Sequence, residues 1–142
     1  VAIHINHALE ITSKAKKACA MLVDAGIPLV GQTVLLRGIN NKADILDNLF
    51  RTMLVSRITP YYLHHPDLAP GTGHFRVTIR EGQKIMRKLR GRLSGIALPT
   101  YILDIPGGYG KIPLGPEYLS DLNEISHKVK DINGKIHTYP PE

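Results

Sequence analysis

A single cysteine, no tryptophan and two phenylalanines stand among the 142 residues. One cysteine, Cys19, excludes a disulfide framework, and the chain alone cannot build a cysteine-rich zinc site or ligate an iron–sulfur cluster. A reducing, cytoplasmic compartment suits such usage. No apolar run approaches the roughly 20 residues of a membrane-spanning helix, so no membrane partner is expected. No basic-then-apolar leader opens the chain. It begins on Val1, inside a strand-like run, which suggests a fragment or a processed product. Acidic residues are the minority: 12 Asp and Glu against 18 Lys and Arg give a net charge of +6. That balance invites a nucleic-acid reading. The cations, however, fall on expected helix faces (Lys14, Lys16, Lys17, Arg80, Lys84, Arg87, Lys88, Arg90, Arg92), without the interleaved aromatics on which bases stack. They read as solvated helix surface, and no nucleic acid is expected.

Against these absences stands an apolar share of 43%, enough for one domain with a real core. Residues 1–6 form a short β-branched run ending in polar side chains. Thr12 or Ser13 is placed to cap a helix to about residue 25, with Ala15, Ala18, Leu22 and Ala25 on one stripe, before Gly26 and Pro28 stop it. A second strand is expected over 29–36, apolar on both faces except at Gln32 and Thr33. Asn40 or Asn41 is expected to cap a helix to about residue 55, turning Ile45, Leu46, Leu49, Phe50, Met53 and Leu54 inward. A third strand, 58–63, leads into a loop over 64–77 rich in Pro, Gly and His, longer than ordinary strand-to-helix connections. Thr78-Ile79-Arg80-Glu81 is a capping box for a helix that buries Ile85, Met86, Leu89 and Leu93. A fourth apolar strand spans 96–103. Beyond it the pattern changes, to a Gly-rich turn and then to alternating polarity over 125–131 and 135–139 around Asn133-Gly134, a strong hairpin signal.

Strands apolar on both faces, alternating with amphipathic helices, imply a parallel sheet covered by helices. Three or four such units are too few to close an eight-stranded barrel. The expected fold is α/β: part of a parallel (β/α) barrel, or an open sheet, over 1–103, then a carboxy-terminal extension with a β-hairpin over 104–142.

In such folds reactive groups gather where the strands end. His4, Asn6, Gln32, His64, His65, Asp67, Asp104 and Lys111 are the polar residues at those ends. A buried strand has little reason to carry a glutamine or histidine unless that side chain faces a ligand or partner. In Asp104-Ile105-Pro106-Gly107-Gly108-Tyr109-Gly110-Lys111, the glycines let the backbone approach a ligand and offer amides to an anion such as phosphate. Lys111 is placed to pair with that phosphate or, desolvated, to form a Schiff base, although taken alone a Gly-rich turn with an exposed lysine is more often just a turn. Ile112 after the lysine departs from the phosphate-loop pattern GxxxxGK(S/T). Asp67 and Asp104 together suit a cationic substrate, although each is also able to cap its own turn. His4 and His7 straddle a strand end, and His64 and His65 point opposite ways on an extended chain, so no metal site is expected. There is no GxSxG, hence no support for a hydrolase nucleophile.

Taken in order, a series of segments resembles the lysine 2,3-aminomutase family from residue 1 to about 119. They are His4-Ile5-Asn6-His7, Ala25-Gly26-Ile27-Pro28-Leu29, Gln32-Thr33-Val34-Leu35-Leu36-Arg37-Gly38, Pro60-Tyr61-Tyr62, Asp67-Leu68, His74-Phe75-Arg76, Leu89-Arg90-Gly91, Ser94-Gly95, Pro99-Thr100-Tyr101 and the stretch 106–113. The resemblance implies a radical S-adenosylmethionine enzyme that also uses pyridoxal 5′-phosphate and a 4Fe–4S cluster on a CxxxCxxC motif. It converts L-lysine to β-lysine by migration of the amino group from C2 to C3. This chain then supplies the later βα units of a (β/α)6 barrel and the carboxy-terminal extension.

Carried over by matching motif, Lys111 corresponds to the pyridoxal phosphate lysine, and Asp67 and Asp104 to the carboxylates that bind the ε-ammonium of the substrate. His4 and Gln32 correspond to positions lining the S-adenosylmethionine site. His64 stands in the cofactor wall where better-known lysine enzymes carry a tyrosine. Those enzymes also hold an interfacial zinc through cysteines, one of them near Lys42; with none here, no zinc is expected. The cluster ligands fall outside this chain, so alone it is expected to be inactive, and a homo-oligomeric full-length protein is expected. Two alternatives stand beside this reading. One is a β-lysine-forming enzyme of the elongation factor P modification pathway; the other is a non-catalytic module binding pyridoxal phosphate or another anion.

Overall fold

The computed structural model describes residues 1–120 and 127–139. Four strands lie side by side in chain order, all parallel: β1 (Ala2–His4), β2 (Val30–Val34), β3 (Thr59–His64) and β4 (Thr100–Asp104). Between them run α1 (Ser13–Asp24), α2 (Ala43–Val55) and α3 (Ile79–Arg90). Parallel neighbours joined in sequence order by right-handed crossovers place every connecting helix on one face. This is the winding of a (β/α) barrel, left open: the described strands form a sheet, not a closed ring. β5 (Lys111–Pro113) then adds antiparallel to β4 at the edge. A second, antiparallel sheet of β6 (Leu119–Ser120), β7 (His127–Lys130) and β8 (Ile136–Tyr139) forms the tail.

Burial alternates along β2 because one face meets helices and the other does not. On β2, Gly31 and Thr33 are buried while Val30, Gln32 and Val34 are half-buried. α2 supplies most of what covers the first face, with Leu46, Leu49, Phe50 and Met53 all at most 1% exposed. The helix rides so close that a β-carbon on Gly31 would stand 2.7 Å from Met53 Sδ. On α3, a β-carbon on Gly82 would overlap the Tyr101 phenol of β4. Glycine at both positions is a packing requirement, since neither has the positive φ that glycine otherwise serves.

Several sequence expectations need correction. The helix stripe on α1 runs through Cys19, Leu22 and Val23, whereas Ala18 and Ala25 are exposed. Thr12 does cap that helix, its Oγ1 accepting from the Ala15 amide at 3.2 Å. Neither Asn40 nor Asn41 caps α2, whose cap position is Lys42 with no side-chain bond. The expected fourth strand starts four residues late, because 95–97 form a 3₁₀ turn ahead of buried Pro99. The Thr78–Glu81 capping box forms as expected, with bonds of 3.1 and 2.7 Å. The tail hairpin forms with Gly134 at φ 87° and an Asp131-to-Gly134 turn bond of 3.0 Å. Residues 125 and 126 of that expected strand lie outside the described residues.

Candidate functional site

Because consecutive strands share a direction, their carboxy ends line up at one edge of the sheet. The register sets His4 beside Gln32, Gln32 beside Tyr62, and Val34 beside His64. These residues lie on the face the helices leave open. There a cavity of about 380 Å³ is lined by His4, Gln32, His64, Asp67 and Asp104, with Val34, Leu36 and Phe75 as apolar walls. Five of the six predicted site residues thus share one cavity, and the sixth, Lys111, bonds directly to one of them.

Lys111 arrives by hairpin geometry. β4 and β5 pair antiparallel with Asp104 opposite Lys111, and the Ile105 amide donates to the Gly110 carbonyl at 2.9 Å. Gly107, Gly108 and Gly110 have φ of 94°, 80° and 95°, a region that residues with a β-carbon avoid, so these glycines are what the tight turn requires. They fold the lysine back onto the aspartate. Lys111 Nζ donates to Asp104 Oδ1, with side chains 48% and 35% exposed. On the other side, His64 Nδ1 lies 3.2 Å from Asp104 Oδ2. A carboxylate only accepts, so Nδ1 is the donor in this contact. His64 Nε2 is buried and has no hydrogen-bond partner among the described residues. The Lys111 ammonium holds the Asp104 carboxyl below the ordinary carboxylate range; burial opposes it, and the His64 contact adds to the lowering.

Asp67 differs. It is exposed on the loop after β3 and forms no hydrogen bond or ion pair among the described residues. Its charge is felt by His65, whose ring is pushed down from its ordinary value of 6.5 by burial, with Asp67 partly offsetting the effect. His65 itself points to the helix face, where Nδ1 meets Tyr101 Oη at 2.8 Å.

At the other end of the cavity, His4 Nε2 lies 3.1 Å from Asn6 Oδ1, which also accepts from the Val34 amide at 2.9 Å. Asn40, fully buried, accepts from the Leu36 amide at 2.7 Å and donates to the Asn6 and Val34 carbonyls at 2.9 and 2.8 Å. This one side chain ties the ends of β1 and β2 together and fixes where His4 and Gln32 stand. Its role is invisible in sequence, where an asparagine ahead of a helix reads as a cap. A larger cavity of about 500 Å³ opens beside the start of α2, lined by Lys42, Lys84, Arg87, Lys88 and Arg92, and holds none of the strand-end residues.

Comparison with known proteins bears on this site. A family model described as Lysine-2,3-aminomutase matches residues 86–142. L-lysine 2,3-aminomutase of Fusobacterium nucleatum is 45% identical over 138 residues, covering 96% of this chain and 32% of that protein. The chain belongs to the lysine 2,3-aminomutase family. Glutamate 2,3-aminomutase of Clostridioides difficile is 47% identical over 133 residues, covering 94% of this chain and 32% of that protein. The chain therefore spans about a third of the length of these aminomutase relatives. Among solved structures, a radical SAM methyltransferase from Sphaerobacter thermophilus matches with a TM-score of 0.51 and 18% identity, over 72% of this chain and 33% of that one. That likeness concerns the fold, and it agrees with the open, barrel-type winding of the parallel strands.

Proposed function

We propose that the intact protein is a lysine 2,3-aminomutase, an isomerase that moves the amino group of L-lysine from C2 to C3 and yields β-lysine. The observation that carries this reading is the bond of Lys111 to Asp104 at a cavity that Asp67, His64, His4 and Gln32 also line. Two carboxylates gathered in one cavity favour a ligand that brings positive charge, because like charges in proximity raise each other's free energy. The ε-ammonium of lysine meets that need, and the side-chain carboxylate of glutamate is repelled. This separates the lysine reading from that of the glutamate-named relative.

The residues present fit two of the three cofactors. Lys111 offers a primary amine to the aldehyde of pyridoxal phosphate, and His4 and Gln32 offer polar heads on the open face to S-adenosylmethionine. When bound, these groups supply the electron sink and the radical chemistry of the migration. The chain's own part is to position. Asp67 and Asp104 hold the ε-ammonium through charge-assisted hydrogen bonds. His64 keeps Asp104 oriented through Nδ1, and the walls of Val34, Leu36 and Phe75 limit water. A 4Fe–4S cluster does not fit this chain, whose one cysteine is buried in α1. Its ligands belong outside these residues, and the 142 residues alone are expected to be inactive. On the same reading, residues 1–103 carry the barrel unit and 104–142 the lysine hairpin and extension of a cytoplasmic homo-oligomer.

Incubating the intact protein with L-lysine, both cofactors and a reductant tests the assignment. β-Lysine is expected, and Asp104→Asn lowers kcat/KM for L-lysine by about 10–100-fold, the value of a hydrogen bond to a charged group. Turnover of L-glutamate with L-lysine untouched overturns it.

A further inference from the structure

We propose that Lys111 and an incoming ammonium compete for Asp104, so that the acidic end of the cavity accepts an amine only once Lys111 has let go. This rests on the lysine reading above and adds an order of events to it. Both oxygens of Asp104 are engaged in the structure, Oδ1 by Lys111 Nζ and Oδ2 by His64 Nδ1. Asp67, on the same cavity, is engaged by neither an ion pair nor a hydrogen bond among the described residues. The two carboxylates are thus inequivalent: one is open to a cation and the other is already satisfied.

The occupant of Asp104 is chemically the same as the proposed ligand. Lys111 ends in a primary ammonium on a four-carbon stem, as free lysine does. Being on the same chain, directly across the β4–β5 pair, it competes at the high effective concentration of an intramolecular group. Release is favoured when the lysine amine is drawn into another bond. A pyridoxal-type aldehyde does this with a clear balance: the ammonium gives a proton to solvent, and the amine then joins the aldehyde carbon with loss of one water. The free ammonium that held Asp104 Oδ1 would then be consumed, while His64 still bonds Oδ2 and prevents the carboxylate from swinging away. His64 is on this account a positioning residue, acting through Asp104.

The test is binding of L-lysine to the intact protein without cofactor, in the wild type and in Lys111→Met, with norleucine as the matched probe lacking the ε-ammonium. Lys111→Met is expected to bind L-lysine about fivefold more tightly, the scale of a partly exposed ion pair. The Asp104 carboxyl, followed by NMR, should titrate at higher pH in that variant, and Lys111→Met/Asp104→Asn should lose the gain. Equal affinity of wild type and Lys111→Met, each still preferring lysine to norleucine, overturns the competition and leaves the lysine reading standing. If no form, Lys111→Met included, prefers lysine to norleucine, the lysine reading fails and the competition with it.

Discussion

On the face of the sheet that the helices cover, Thr33, Leu63 and Tyr101 are dry, and the two hydroxyls among them are bonded, Thr33 Oγ1 to the Ile5 carbonyl at 2.6 Å and Tyr101 Oη to His65. The opposite face carries His4, Gln32, His64 and Asp104 around a cavity, with His64 Nε2 unpartnered among the described residues. Both faces are built from the same strands, one residue apart. The difference is that the covered face minimises free energy by packing, whereas the open face holds groups whose bonding is incomplete without a ligand. Substitutions on the two faces should therefore fail in different currencies, stability on one and binding on the other.

The largest effect is expected at the covered face. Phe50→Ala leaves a hole beneath the sheet and should lower unfolding free energy by about 3–5 kcal/mol in a denaturant titration. A loss under about 1 kcal/mol would break the comparison on that side. Asn40→Ala comes next, because it strands the Leu36 amide and the Asn6 and Val34 carbonyls; about 2–3 kcal/mol is expected. It also loosens the strand ends, so L-lysine affinity should fall with stability, the one case in which the two faces are coupled. Asp104→Asn belongs to the open face alone. Its ion pair is partly exposed, so stability should change by less than about 1 kcal/mol while activity collapses.

The smallest effects concern pH and have separate windows. Burial lowers the His65 pKa below 6.5, so its contribution to stability is present above that value and is lost as pH falls through the lower folded value. Asp104 is likewise depressed, but from an ordinary carboxylate value, so the contribution of its bonds to Lys111 and His64 persists to more acidic pH and fades only as pH falls through the folded value. Denaturation midpoints followed from pH 7.5 to 5 should decline, and His65→Gln should flatten the decline. An unchanged slope in that variant would place the titration elsewhere.

The alternation of strand and helix was legible in sequence because its signals are local: the Thr12 cap, the Thr78–Glu81 box and the spacing of Leu46, Leu49, Phe50 and Met53. The site was legible as a set of polar residues at strand ends, since parallel strands bring those ends together whatever the loops do. What failed needed a third dimension. Asn40 reads as a cap until β1 and β2 are seen to meet beside it. That the glycines of 107–110 form the turn that delivers Lys111 to Asp104 became visible only with β5 paired to β4. The α1 stripe shifted by one residue because alanine carries little weight in a periodic pattern, and the buried cysteine carries more.

Position 111 is proposed to bear the amine that captures an aldehyde cofactor beside Asp104. Borohydride reduction of the intact protein in the presence of pyridoxal phosphate, followed by peptide mass mapping, reads it directly. The account predicts a phosphopyridoxyl group on Lys111. Stoichiometric label on another lysine, with Lys111 unmodified, contradicts it.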